Sequence, residues 1–233
     1  MRAAEILRPT FKRFMWHAYD HLGLLVVANL LWLALCVPVI TAPAATAGLF
    51  ALARRITDGE HVSLADFFLG FRADFLPALK VGSFTLAAVL LLWVNVDFYS
   101  HLGGWATLPG MLLAAVMIWA GAFLLLMHVH AHALIARGDV ALRTVLRKSA
   151  LLVLDNIGYS VGVSIQALSV AVISLVTGAG AVLVLGSFVA LLLSCGHREL
   201  LKRYFPDSPE AIEPDETRGW TDVWRPWESR RRD

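Results

Sequence analysis

From Leu22 to Ala53 the chain runs for 32 residues without one Asp, Glu, Lys, Arg or His, yet two prolines, Pro38 and Pro43, stand near the middle. That combination leaves few folds open. A continuous helix of this length would measure about 48 Å, against a bilayer hydrocarbon core of about 30 Å. Proline lacks an N–H and pushes the residue before it, here Val37 or Ala42, out of helical geometry. The helix therefore breaks at Pro38–Pro43. Two arrangements fit: one kinked crossing, or a hairpin that enters and leaves on the same face.

Three further charge-free runs follow, Val81–Val96, Phe98–Ala136 and Asn156–Gly196. With 58% of residues hydrophobic and only 16% charged, the chain departs from soluble domains in the direction of a membrane protein. Val81–Val96 is short for a span, so it begins near Pro77, with Lys80 snorkelling to the interface, and Asp97 closes it. The next span runs from about Trp105 to His128 or beyond. Asn156–Gly196 is long enough for two helices, divided at the turn Thr177–Ala181. The expected fold is all-α and polytopic: a broken N-terminal hairpin, its second limb re-entrant or a full span, then four transmembrane helices. An interfacial amphipathic helix lies between Ser63 and Pro77, where "SLAD" is a capping-box sequence and Phe67, Phe71 and Phe75 recur every four residues. Residues 1–205 form this membrane domain. Residues 206–233, rich in proline and acids, read as a flexible polar cytoplasmic tail in which Trp220, Trp224, Trp227 and Arg230–Arg232 could touch anionic lipid. No secretory signal peptide is expected, because the first apolar run is too long and lacks a small-residue cleavage site.

Positive charge chooses between the two arrangements, since Lys and Arg gather in cytoplasmic loops near span ends. Arg2, Arg8, Lys12 and Arg13 precede the first run, whereas Asp97–Gly104 and the Thr177–Ala181 turn hold none. A single crossing would set those four charges against eleven others, and a hairpin gathers all fifteen on one side. The hairpin is favoured, and with it two cytoplasmic termini. A net charge of +2 gives no reason to expect nucleic acid, and Cys36 and Cys195, both in apolar segments, read as small core residues.

Few residues carry chemistry. Pro43 suits the start of a helix, and its return limb would aim the free N–H groups of Ala44, Ala45 and Thr46 into the protein, where broken helices of transporters hold polar substrates. Alternatively, Thr41 and Thr46 simply satisfy the freed backbone. Asp155 and Asn156 open a span and either serve an ion path or sit hydrated at the interface. His128 and His132 share a helix face with no acid or cysteine near them in sequence, and His17 and His21 repeat the spacing and would complete a site if the helices met; interfacial histidines are the favoured reading, and no metal is expected. Gly158 and Gly162 form a GxxxG packing face, within the chain or between copies. No motif of a hydrolase, metalloprotease or phosphate-binding loop occurs, so neither an enzyme nor a cofactor is expected.

The stretch "NLLWLALCVPVITAPAATAGLFALARR", followed by "DFFLGFRADF", resembles the YesL family of bacterial membrane proteins. The likeness rests on Asn29, Leu30, Pro38, Thr41, Pro43, Ala44, Ala47, Arg54, Arg55, Phe67, Phe68, Phe71 and Phe75; Ala42 stands where family members commonly have glycine. The motif covers residues 29–75, the similarity in hydropathy about 5–205. The resemblance implies the bacterial plasma membrane and genes for carbohydrate uptake and glycan degradation as neighbours, with no established activity and no catalytic residue. The expected function is a non-catalytic accessory component of carbohydrate uptake, in contact with the bilayer and a carbohydrate transporter complex, in an oligomeric state the sequence leaves open. The alternative is a small solute permease using the Pro43 helix end and Asp155.

Overall fold

The structure, a computed structural model, describes residues 4–102 and 107–205; the tail 206–233, Arg2 and the turn residues Gly103–Trp105 lie outside the described residues. Ten α-helices and no strand are found among the described residues: α1 (Ala4–Asp20), α2 (Leu22–Cys36), α3 (Ala42–Thr57), α4 (Leu64–Ala73), α5 (Phe75–Ser100), α6 (Thr107–Ala136), α7 (Leu142–Asp155), α8 (Ile157–Val176), α9 (Ala179–Leu183) and α10 (Leu185–Tyr204).

The chain doubles back at the prolines. Pro38 is extended, a 3-10 turn over Val39–Thr41 follows, and the turn leads directly into α3. Trp32 Nε1 donates to Thr46 Oγ1 at 3.2 Å, which sets the two limbs side by side around the break. Helices α2 and α3, with 15 and 16 residues, are about 22 and 24 Å long. Val37, Val39 and Ile40 at the tip are among the most exposed apolar side chains of the molecule. Before the hairpin, α1 meets α2 at 90°, a bend at His21 that the charge-free run gave no hint of.

Val39–Thr57, α5, α6 and α8 are long and apolar enough to cross a membrane. Helix α5 extends from Phe75 through Asp97 to Ser100, so Asp97 does not end it, and Pro77 lies in its first turn, where a missing N–H is harmless. What ends α4 is Asp74, not Pro77. The capping box at Ser63 is present: the Ser63 N–H donates to the Asp66 carboxylate at 2.7 Å, and Arg55 also reaches Asp66. The turn that divides the last apolar region needs glycine at Gly178, whose φ of +64° is disfavoured for L side chains.

Close approach fixes α4 on α3. A Cβ built on Gly70 would overlap the Cβ of Ala51, and one on Gly48 would lie 2.8 Å from the Phe67 carbonyl oxygen. Phe67 is thereby fully enclosed. Gly70→Leu should therefore prise the helices apart and cost about 1–3 kcal/mol, the usual range for overpacking. A thermal melt of the detergent-solubilised protein checks this; an unchanged midpoint would mean the contact is not tight.

Candidate functional site

At the start of α3 the expected ligand-binding residues are packed against their own chain. The Thr41 hydroxyl reaches the carbonyl oxygens of Leu35 and Pro38, the latter at 2.8 Å. Thr46 Oγ1 donates to the Ala42 carbonyl at 2.9 Å and accepts from Trp32. Pro43 occupies the second helical position rather than the first, and a Cβ on Gly82 of α5 would lie 2.8 Å from its ring. Ala44 and Ala45 have no exposed surface. The hydroxyls thus serve the carbonyls freed by the break. Thr41→Val combined with Thr46→Val should lower stability by about 1–2 kcal/mol through lost hydrogen bonds, read as a shifted unfolding midpoint.

Asp155 and Asn156 lie at the join of α7 and α8 and belong to a second cluster. Asn156 Nδ2 donates to the Tyr204 hydroxyl at 2.5 Å, and Arg203 donates to Asn156 Oδ1 at 2.5 Å. The Tyr204 hydroxyl in turn donates to Asp155 Oδ2. Asp155 is exposed and Asn156 is buried. Beside them opens a cavity of about 510 Å³ lined by Leu134, Leu152 and Leu201, with Lys148, Asp155 and Tyr204 among its polar groups. Helix α10 measures the distance between the two clusters. Gly186 packs under the Trp32 ring beside Thr46, and Tyr204 touches Asp155 at the far end, about 27 Å away along the helix. The residues proposed from sequence therefore form two places, not one.

A third cluster escaped the sequence reading. His197, Arg198 and Glu199, which follow the last charge-free run in sequence, lie inside α10 and are all buried. Consecutive helical residues point about 100° apart, so burial of all three means that α10 is enclosed on every side there. Glu199 Oε1 is ion-paired with Arg13 Nε of α1 at 2.8 Å and with Lys202 Nζ at 3.2 Å. From α6, His130 Nε2 lies 2.9 Å from Ser160 Oγ of α8, with its ring stacked at 6.1 Å on Tyr159 and 6.5 Å from His197. Gly196 makes the crossing possible, because a Cβ there would lie 2.5 Å from the Tyr159 hydroxyl. The signal available in the sequence was the run His197–Glu199, placed directly after the buried-type residues Ser194–Gly196.

Ion pairs from other elements join this end of the molecule. Arg137, after α6, reaches Asp58, after α3, at 3.9 Å, and Arg54 donates to the Ala136 carbonyl at 2.6 Å. The N-terminal helix and the ends of α3, α6 and α10 thus share one charged layer. His128 sits 3.2 Å from Thr85, and His132 stacks on Phe50, so the α6 histidines point into helix contacts. Among the described residues no group of three His, Cys, Asp or Glu is arranged to hold a metal. Gly162 lies under Leu7 of α1, whereas Gly158 is exposed. Cys195 is buried and Cys36 half-buried.

These features define a class: an all-α polytopic membrane protein whose buried ion pair Arg13–Glu199 lies toward the C-terminal end of α10. Residues 25–96 match the model of a family described as a protein of unknown function, DUF624. The matched part spans the hairpin, α4 and most of α5. No curated protein and no solved structure matches.

Proposed function

We propose that the protein is a non-catalytic accessory component of carbohydrate uptake in the bacterial plasma membrane, with both termini in the cytoplasm. The uptake part rests on the resemblance of residues 29–75 to the YesL family. The observation that favours an accessory over a permease is the filled start of α3: Ala44 and Ala45 are sealed, and Pro43 lies on Gly82. A solute route through that helix end would need space which packing occupies. The cytoplasmic placement is supported by the shared charged layer, given the preference of Lys and Arg for that side.

Two measurements test the reading. Deleting the gene should reduce uptake of one labelled oligosaccharide in intact cells, while the purified protein in liposomes should give no flux above empty vesicles. Flux from the protein alone would replace the accessory with a permease. For orientation, Arg2→Cys and Arg230→Cys, each in a Cys36→Ser background, should both resist an impermeant thiol reagent in intact cells and react after lysis. Labelling of one but not the other in intact cells would rule out the hairpin topology.

A further inference from the structure

A second cavity, of about 570 Å³, lies on the side of the molecule away from the Asp155 cluster, between α1, α8 and the start of α10. Phe11 and Met15 of α1 form one wall, Ile165, Ile173 and Thr177 of α8 another, and Phe188 of α10 the floor. Two of its polar walls are engaged with their own helix, whereas Gln166 Oε1, at one end, is buried without a hydrogen-bond partner among the described residues. Ser169 Oγ donates to the Ile165 carbonyl at 2.9 Å and Thr177 Oγ1 to the Ser174 carbonyl at 2.9 Å, so the groove presents hydrocarbon to an occupant. Gln166 stands at one end, its Nε2 donating to the Leu7 carbonyl at 3.3 Å. From Gln166 to Thr177 the groove follows α8 for about 16 Å.

The charge beside this groove selects the occupant. Arg8 follows Leu7 and lies three and seven residues before Phe11 and Met15, which places it on the same face of α1 as the groove wall. It is exposed and makes no ion pair among the described residues, unlike Arg13, Arg54, Arg55 and Lys148. A long apolar channel along a candidate span, with an uncommitted guanidinium where the amphipathic helix α1 begins, has the polarity of a phospholipid. We propose that the groove holds one acyl chain of an anionic phospholipid whose phosphate is bound by Arg8. Guanidinium forms forked, charge-assisted hydrogen bonds to phosphate, so the headgroup is recognised as well as the chain. The lipid bridges α1 and α8 and so braces the 90° bend that opens the chain.

Thermal melts in mixed micelles, together with native mass spectrometry of the full chain, test this. Phosphatidylglycerol should raise the unfolding midpoint by several degrees more than phosphatidylcholine, and one phosphatidylglycerol should stay bound as collision energy rises. Arg8→Gln, an exposed substitution that leaves the core intact, should abolish the difference between the two lipids. Ser169→Trp, which fills the groove, should remove the retained lipid while Arg8 remains. Free glycerol phosphate should have no effect, since it lacks the chain. Equal responses to the two lipids, or an Arg8→Gln response equal to that of the wild type, would overturn the proposal, as would a full effect from glycerol phosphate.

Discussion

Asn29→Leu should be the most damaging single change in the apolar part of the molecule. Asn29 is fully buried in the middle of α2. Its Oδ1 accepts from the backbone N–H of Gly186 at 2.7 Å and of Ser187 at 3.1 Å, and its Nδ2 donates to the Val182 carbonyl at 2.7 Å. One side chain of α2 therefore caps the start of α10 and holds the α9–α10 corner. In hydrocarbon no water can replace these partners, and each unmet buried group costs about 1–3 kcal/mol. The expected loss is about 3–5 kcal/mol, read as a lower midpoint in denaturant titration of the solubilised protein. Asn29→Asp keeps the Oδ1 that accepts both N–H bonds and, protonated in this buried place, can still donate to the Val182 carbonyl, so it should fall between leucine and wild type. Leucine behaving as wild type would mean that the corner is held by packing alone.

Breaking the pair between α1 and α10 should have an effect of similar size. The Arg13 and Glu199 side chains are each 7% exposed. Removing one partner of a buried ion pair costs up to about 3–5 kcal/mol, with Arg13→Met the milder because Lys202 still pairs with Glu199, whereas replacing both with apolar residues of similar size is often tolerated. Arg13→Met and Glu199→Leu should each be destabilising, and the double variant should recover much of the loss. A double variant as unstable as the sum of the singles would show that the two side chains act independently. If α1 separates from α10 in the single variants, protease cleavage within α1 should appear first.

Much of the architecture was legible because lipid demands it. The broken run Leu22–Ala53 led to a hairpin, since its length and its prolines allowed only a kink or a reversal and charge favoured reversal. The capping box at Ser63 and the division of Asn156–Gly196 at its glycines were equally local. The candidate site was less legible. Asp155 and Asn156 were singled out, but their partners Arg203 and Tyr204 stand 47 to 49 residues away in sequence. Thr41 and Thr46 were noticed as polar, but which of two roles they fill depends on the positions of Trp32 and of the Leu35 carbonyl.

Apolar length and proline position were enough by themselves to determine a polytopic helical chain broken within its first apolar run, and the distribution of Lys and Arg favoured a reversal there without deciding it. These properties act locally or through the solvent, so they are written in the order of the residues. Tertiary structure alone decided that α10, the most polar of the helices of 20 residues or more, lies at the centre together with α3, and that the very apolar α5 and α6 lie largely bare at the periphery. The reason is that a bilayer inverts the usual sorting. Lipid accepts leucine and rejects arginine, so the polar side chains turn inward, and which of them meet is fixed only when Arg13, Glu199, His130 and Asn29 find partners more than 25 residues away.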